Sequence, residues 1–500
     1  MEIRNKDIKN ILKKYKELSL LTKINAVLDW DTNVNLPAKG ADTRGKQNAL
    51  ITDYMTRFWL DPRIKDIIEH LSENGLNTEE LAILRNLKHA GAYYLKVPKA
   101  LILEKVEATT NAFMIWQKAK QEDSFQDFLP YLQKNVELDR QITEHLGYES
   151  NPYDALLNLY EPQLTANFLE TIFTPLRVKL TNLLSEIVSS KNYEQKSSVI
   201  NDSETYDITN QEKLCKYVLA LMDYSQDEGR LDISAHPFTN SLGRYDVRIT
   251  THYHDHDFRP ALSSTIHEAG HGLYELGVNP VYDLTPLEGG VSMAIHESQS
   301  RFWENQIGRN PVFLEFLLPH IKEAFPEKIF ELNELVRAMN EVKPSLIRTE
   351  ADEVTYNLHI MLRFEIENDL INKKIEVKDL PEIWRTKMND YLGVTPSNDR
   401  EGVLQDVHWS YGSFGYFPTY ALGNLYAAQF AAQMKKTIKV DDILQSGNVQ
   451  PVLDWLRKNI HTYGSLKWPK ELVKDVTGEE LNPKYFLDYI IKKYAKIYSF

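Results

Sequence analysis

Apolar residues recur every three or four positions along most of the chain. Near the start the repeat is Ile8, Ile11, Leu12, Tyr15 and Leu18. The same spacing returns in two later segments, with Leu81, Ile83, Leu84 and Leu87 in one and Phe330, Leu332, Leu335 and Met339 in the other. Because an α-helix has about 3.6 residues per turn, this spacing gives each helix one apolar face. The pattern predicts a mainly α protein.

One segment follows a different pattern. Residues 245–253 alternate apolar or β-branched side chains with polar ones, which predicts a β-strand. As an exposed edge, this strand could pair with an extended peptide, and a purely structural edge strand fits equally well. Residues 189–205 are polar and are expected to form an exposed loop. Since no repeat or linker divides the sequence, residues 1–500 are expected to form a single domain, in one lobe or in two around a groove.

The sharpest local signal is His267-Glu268-Ala269-Gly270-His271. Residues four positions apart share one face of a helix, so both imidazoles can reach the same metal ion. Glu268 lies close enough to act on water at that ion. Pro260 suits the first helical turn and Gly277 suits the helix end, which supports a helix at this position. The alternative is a pair of ordinary helix histidines that bind no metal.

A catalytic zinc ion takes three protein ligands and keeps an open position for water. Glu297 can supply the third ligand from a second predicted helix, which begins at a capping Ser292 and ends before Gly308. The competing ligands nearby are His252, His254, Asp255, His256 and His296. The three upstream histidines follow the predicted strand and are more typical of a loop. On a helix, His296 points about 100° away from Glu297, so the two are not expected to share one ion.

Composition excludes several classes of protein. The 58 Lys and Arg residues against 71 Asp and Glu leave a formal net charge of −13, which argues against nucleic acid as a partner. The sequence has no apolar run of membrane-spanning length, and its first residues lack the apolar core of a secretory signal. Cys215 is the only cysteine, so an intrachain disulfide is impossible. These features are what we expect of a protein in a reducing cytoplasm, away from membranes.

Taken together, the motifs resemble those of the thermostable zinc carboxypeptidases of the carboxypeptidase Taq family. Besides residues 267–271, the resemblance includes segments 232–238, 246–251, 296–300, 347–353, 402–409 and 415–420. Trp30, Asp31, Pro37 and Arg44 are similar to the family's N-terminal region, so the resemblance spans nearly the whole chain. The positions that the family uses for metal show no departure from its pattern.

The resemblance implies a mainly α metallopeptidase fold with a deep central groove and a short β element beside a zinc site. It implies one zinc ion per chain, replaceable by cobalt, and a homodimer. Members of the family release single residues from the C-termini of peptides with broad specificity. By motif, His267, His271 and Glu297 would bind zinc, zinc-bound water would be the nucleophile, and Glu268 would be the general base.

Further site residues are expected from the same motifs. His408, Tyr411 and Tyr420 lie in a segment rich in glycine and aromatic residues and are candidates to stabilise the oxyanion, while core packing explains such aromatics equally well. Arg348 is the first candidate to bind the terminal carboxylate of the substrate, because a guanidinium can donate two parallel hydrogen bonds; a structural ion pair is the alternative. His236 is expected to line the same cleft. The candidates to orient a zinc-bound imidazole are Asp352, Glu353 and Asp406.

The metal motif leaves other functions open. A zinc endopeptidase or dipeptidase would use the same ligands, because the motif specifies hydrolysis and not the position of the bond. A peptide-binding protein with an inactive site is disfavoured, because Glu268 is retained together with all three candidate ligands. A zinc-stabilised structural protein would favour a closed site with four ligands.

Overall fold

The structure is a computed structural model that describes residues 1–193 and 205–500. Of the predicted loop over residues 189–205, residues 194–204 lie outside the described residues. Across the described part of the chain there are twenty α-helices and three short β-strands. The expected mainly α fold with a short β element is confirmed. In the same part of the chain, no helix is both long and apolar enough to cross a bilayer.

The elements are numbered in chain order. Helices α1 to α10 are Lys6–Val34, Ala41–Leu60, Pro62–His70, Thr78–Lys96, Lys99–Glu122, Phe125–Leu146, Pro152–Tyr160, Ala166–Val188, Ile208–Leu221 and Arg259–Gly277. Helices α11 to α20 are Met293–Arg301, Pro311–Ala324, Leu332–Met339, Tyr356–Ile371, Leu380–Leu392, Pro418–Lys435, Val440–Ser446, Gln450–Asn459, Pro469–Thr477 and Lys484–Tyr498. A π-helix, Phe302–Gly308, follows α11 directly. The strands are β1 (Gly229–Ile233), β2 (Thr239–Gly243) and β3 (Asp246–Thr251).

The predicted apolar repeats lie on helices. Ile8, Ile11, Leu12 and Leu18 are buried on α1, and the Asn5 side chain caps the first turn by accepting backbone N–H groups. The repeat at residues 81–87 lies on α4, and the repeat at residues 332–339 forms α13. The helical predictions for these three segments are confirmed.

The strand predicted over residues 245–253 is β3, but it is not an edge strand. The three strands are ordered β1, β3, β2, so β3 has a neighbour on each side. β1 runs parallel to β3, and β2 pairs antiparallel with it, Thr239 facing Ile249 in the register. Because both rows of backbone groups on β3 are already paired, no peptide can add to it. The edge-strand interpretation of this segment is wrong.

The described residues form two compact units. The first comprises residues 1–91, 205–339 and 426–481, and the second comprises residues 92–193, 340–425 and 482–500. In the first unit α10 contacts β3, α9 and α11. In the second, α14 is buried on almost all sides and contacts α6, α7, α8 and α15. That residues 1–500 act as a single domain stays a prediction.

Candidate active site

Helix α10 carries the two histidines and the glutamate of the metal motif. As predicted, a proline lies in its first turn and the helix ends at Gly277. His267 and His271 are one turn apart, and their ring centroids are 5.0 Å apart. The residues between and around them are buried against the rest of the unit, including Ile266 and Leu273. The packing of the apolar face therefore directs both imidazoles to one side of the helix.

Gly270 allows α11 to approach α10 closely. A β-carbon at this position would lie 2.7 Å from the carbonyl oxygen of Gln299 and 2.7 Å from Cα of Ser300. Any side chain here would therefore force the two helices apart. α11 follows Ser292, whose hydroxyl oxygen accepts a backbone N–H in the first turn, as predicted. The close contact brings Glu297 of α11 to the histidines.

Three ligand atoms converge between α10 and α11. Oε2 of Glu297 lies 3.7 Å from Nε2 of His267 and 3.4 Å from Nε2 of His271. One ligand atom of each residue lies within 4.8 Å of the other two. With metal–ligand bonds of about 2.0–2.1 Å, a tetrahedral zinc ion separates its ligand atoms by about 3.4 Å. Two nitrogens and one oxygen are also a donor set of catalytic zinc sites, so these residues fit such an ion.

Glu304 binds the far side of the His267 ring. Glu304 is on the π-helix that continues α11, and its Oε2 lies 2.9 Å from Nδ1 of His267. Arg301 and Arg309 also bind this carboxylate, at 3.1 and 2.8 Å. Burial alone would raise the pKa of Glu304, but the two guanidiniums hold it well below its usual range. A permanent carboxylate therefore accepts the Nδ1 hydrogen and leaves Nε2 of His267 facing Glu297.

His271 is held by a different arrangement. Its Nδ1 lies 2.6 Å from Nδ1 of His296, and Nε2 of His296 lies 2.9 Å from Oε1 of Glu275. Burial lowers the pKa of His271 to about 4, which favours the neutral ring that a metal ligand requires. As expected from the sequence, His296 points away from the three converging atoms.

Glu268 is buried beside the converging ligand atoms and is held by the neighbouring strand. The hydroxyl of Thr239 on β2 lies 2.6 Å from its Oε2. Burial raises the pKa of Glu268, and Thr239 and His267 act against that rise. A carboxylate with a raised pKa is suited to take a proton near neutral pH and return it later.

The second unit contains a buried cluster of two arginines and one aspartate. Arg348 is in a 3₁₀ turn before α14, is 6% exposed, and donates from Nε to Oδ1 of Asp406 at 2.9 Å. Arg363 on α14 donates to the other oxygen at 2.7 Å. Oε1 of Gln405 accepts from the Arg348 backbone and from Arg363. Burial works to lower the pKa of Arg348, but Asp406 raises it, so the guanidinium stays charged.

His408 and Tyr420 lie close together in this unit. Nε2 of His408 is 3.4 Å from the Tyr420 hydroxyl, and the Arg348 guanidinium lies 5.1 Å from the centre of the Tyr420 ring. Burial lowers the pKa of His408 to about 4, so its ring is neutral near pH 7. Tyr411 is half exposed and stacks on Phe113 with ring centroids 4.9 Å apart. The structure therefore groups three of the four expected residues Arg348, His408, Tyr411 and Tyr420, and leaves Tyr411 stacked on a different aromatic.

The remaining expected residues have other contacts. His236 is exposed in the first unit, and its carbonyl accepts a hydrogen bond from Ser234. The three acids that were candidates to orient a zinc-bound imidazole do not have that role. Asp352 accepts from Thr355 and nearby backbone, Glu353 binds Lys493, and Asp406 binds the two arginines. Glu304 and His296 contact the imidazoles of His267 and His271 instead.

The sequence reasoning missed three residues of this site, although two of them carry a signal. Glu275 lies four positions after His271 and therefore on the same face of α10. Glu304 follows Arg301 by three positions, which predicts an ion pair on one helix face. Nothing in the local pattern singles out Thr239.

Comparisons with known proteins agree with this geometry. The carboxypeptidase Taq (M32) metallopeptidase family matches residues 10–494. Carboxypeptidase 1 of Bacillus subtilis is 39% identical over 97% of this chain and 97% of its own. Thermostable carboxypeptidase 1 of Pyrococcus furiosus is 40% identical over 98% of this chain and 99% of its own.

Solved structures give the same result. The structure of Pyrococcus furiosus carboxypeptidase in its Apo-Mg form matches with a TM-score of 0.95 and 40% identity, covering 98% of this chain and 99% of the other. Metallocarboxypeptidase 1 of Trypanosoma cruzi matches with a TM-score of 0.94 and 35% identity over 98% and 99%. These findings define the class of protein, a metallocarboxypeptidase that hydrolyses peptides. The chain belongs to the carboxypeptidase Taq (M32) metallopeptidase family, as the motifs suggested.

Proposed function

We propose that this metallocarboxypeptidase uses zinc to hydrolyse the C-terminal peptide bond, releasing single amino acids from peptides with broad specificity. The observation that carries the proposal is the convergence of His267, His271 and Glu297, with Glu268 buried next to them. The nitrogen and oxygen donor set favours zinc, and cobalt suits the same ligands. A bound zinc ion polarises a carbonyl group and makes water acidic enough to deprotonate near neutral pH.

The residues of the chain perform the proton transfers. Glu268 accepts a proton as water attacks the scissile carbonyl, and later delivers it to the leaving amine. Its raised pKa brings it closer to the working pH of such a shuttle. Thr239 fixes Oε2 of Glu268 through its hydroxyl, so the carboxylate loses little freedom during the reaction.

The arginine cluster is proposed to bind the terminal carboxylate of the peptide. Arg348 and Arg363 face the single carboxylate of Asp406, so the cluster carries an excess of positive charge. A buried excess charge is costly unless an anion neutralises it, and a peptide C-terminus is such an anion. His408 and Tyr420, beside Arg348, are the proposed donors to the oxyanion, with Tyr411 as a further candidate for that role, and His236 is proposed to line the substrate cleft.

Mass spectrometry of an unblocked peptide and its C-terminally amidated twin tests this function. Zinc-loaded protein should remove residues one at a time from the free acid and leave the amide nearly intact. The Glu268→Gln variant, loaded with the same metal, is the control for contaminating peptidases. Cleavage of both peptides at the same internal bonds would overturn the proposal in favour of an endopeptidase, and release of residue pairs would indicate a dipeptidase.

Two expectations remain, the homodimer from the family resemblance and the cytoplasmic location from the composition of the chain. We propose that the protein acts as a cytoplasmic homodimer. Light scattering during gel filtration measures the oligomeric state, and a mass of one chain at micromolar concentration would overturn the homodimer. Fractionation of the source cells measures the location.

A further inference from the structure

The two ring nitrogens of His271 face different partners. Its Nε2 faces Oε2 of Glu297 at 3.4 Å, and its Nδ1 lies 2.6 Å from Nδ1 of His296. A hydrogen bond between two ring nitrogens uses one hydrogen, so one ring donates and the other accepts. The identity of the donor determines which nitrogen of His271 is free to bind metal.

Glu275 fixes a hydrogen on the other nitrogen of His296. Its Oε1 lies 2.9 Å from Nε2 of His296, and a carboxylate can only accept, so Nε2 of His296 carries a hydrogen. A metal held at Nε2 of His271 requires the hydrogen of that ring on Nδ1, so Nδ1 of His296 is the acceptor in the metal-bound protein. In that arrangement Nε2 of His271 has no hydrogen, and it faces Oε2 of Glu297 at 3.4 Å.

We propose that His296 and Glu275 form a positioning relay that holds His271 in the tautomer and ring orientation needed to bind the metal; this inference rests on the proposed metal-dependent function. Neither residue is among the metal ligands. They act through His271, as the outer partners of metal-bound histidines do in other zinc enzymes.

The surroundings of the relay fix its geometry. The backbone N–H of Gly290 donates to the same Oε1 of Glu275 at 3.0 Å. The ring of Tyr274 packs against His296 with centroids 5.2 Å apart. A β-carbon at residue 290 would lie 2.7 Å from Cδ2 of His296, so only glycine leaves room for the ring. Both members of the relay are therefore held from more than one side.

The two ligand histidines are thus oriented by different means. His267 contacts the carboxylate of Glu304 directly, whereas His271 reaches the carboxylate of Glu275 only through the ring of His296. A carboxylate in direct contact makes an imidazole more basic than a carboxylate that acts through a second ring. Loss of charge at Glu275 should therefore weaken metal binding less than the same loss at Glu304.

The test measures zinc affinity by competition with a chromophoric chelator and ligand geometry by the visible absorption of the cobalt-loaded protein. We expect His296→Ala to weaken zinc binding by about 10- to 100-fold, the range found for outer partners of metal ligands, and to alter the cobalt spectrum. His296→Asn should recover part of the affinity, because the asparagine oxygen can replace the acceptor at Nδ1. Glu275→Gln keeps the shape and should cost about three- to tenfold.

Glu288→Gln is the matched control. Glu288 lines the same cavity of 170 Å³ as Glu275 and binds Lys23 at 2.9 Å, but its hydrogen-bond partners are Ser19, Lys23 and the Leu284 backbone. The zinc affinity of the Glu288→Gln variant should stay within about twofold of wild type, since Glu288 makes no hydrogen bond to Glu275 or His296. Wild-type zinc affinity and an unchanged cobalt spectrum in Glu275→Gln would overturn the relay, even if His296→Ala did not fold. Loss of affinity in a protein that never releases C-terminal residues would keep the relay and overturn the proposed function.

Discussion

The hydroxyl of Thr239 lies 2.6 Å from Oε2 of Glu268, so a side chain of β2 holds the proposed general base on α10. Thr239→Val keeps the shape and removes this hydrogen bond. A hydrogen bond to a charged group is worth about 1.5–3 kcal/mol, so we expect kcat to fall by about tenfold or more. Zinc content should not change, and Thr239→Ser should restore most of the activity. Equal kcat in the valine variant and wild type would show that Glu268 needs no such support.

Glu268→Gln separates the base from the metal site. The glutamine keeps the volume but cannot accept a proton, so turnover should fall by at least about a thousandfold while one zinc ion per chain is retained. Metal analysis and single-turnover kinetics on the same preparation measure both quantities. Wild-type turnover in the metal-loaded variant would exclude Glu268 as the base.

Glu297→Ala tests the third metal ligand. Removing one of three protein ligands should weaken zinc binding far more than the loss of an outer partner, so the effect should exceed that of His296→Ala. His254→Ala is the control, because His254 is exposed after β3. Dialysis against a chelator followed by metal analysis ranks the three variants. Equal metal retention in Glu297→Ala and wild type would remove Glu297 from the site.

Arg348→Ala tests the receptor for the terminal carboxylate. Loss of a charge-assisted contact should lower kcat/KM for free-acid peptides by at least about tenfold, with metal content unchanged. Arg348→Lys should rescue only part, because an ammonium cannot reproduce the planar fork. Wild type should prefer the free acid over its amide strongly, and the alanine variant should prefer it much less.

Arg348 also binds Asp406, so a stability control is needed. Arg385→Ala removes a different arginine–aspartate pair of the same unit, Arg385 with Asp399 at 2.9 Å. This variant should keep the preference for the free acid. If the Arg348→Ala variant also kept the preference for the free acid, a cation other than Arg348 would bind the terminal carboxylate of the substrate.

Glu367 should make the stability of the protein depend on pH. Its carboxyl is fully buried and is bound by Tyr153, Trp409 and the Gly415 backbone at 2.6 to 2.9 Å. Burial raises the pKa of Glu367 to about 7, above the ordinary value of 4.5. The folded protein therefore binds this proton more tightly than the unfolded chain does. Stability from this group is complete below about pH 4.5 and is lost as the pH rises to about 7.

Urea unfolding of wild type and Glu367→Gln at pH 5 and pH 7 measures this effect. The glutamine cannot ionise, so the difference in unfolding free energy between the two proteins should be larger at pH 5 and should shrink by pH 7. A constant difference at both pH values would show that Glu367 keeps the same protonation in the folded and unfolded chain.

The sequence was informative where one helix determines the geometry. The spacing of His267 and His271 predicts their shared face, and the capping Ser292 predicts the start of the helix that carries Glu297. Such features depend on residues within a few positions of each other, which is why periodicity and capping reveal them.

Residues that act across elements were less accessible. Thr239 reaches Glu268 only because β2 pairs with β3 and both pack on α10, and β2 is too short to show an alternating pattern. Asp406 was expected near an imidazole, but its partners Arg348 and Arg363 come from separate segments that meet only in the folded unit. The central position of β3 likewise depends on β1, which pairs with β3 across the intervening β2 in the sequence.

Gly270 also has a consequence for how metal leaves the protein. Because it faces the backbone of α11 rather than a side chain, no rotamer change at this contact can move the two helices relative to each other. Opening the candidate site at the backbone therefore requires α10 and α11 to move apart, which is a local unfolding event. The rate of spontaneous metal loss should therefore follow the opening of these two helices and the hydrogen exchange of their buried amides. The time for which the protein keeps its metal would then depend more on the contact between the two helices than on the strength of any single metal bond.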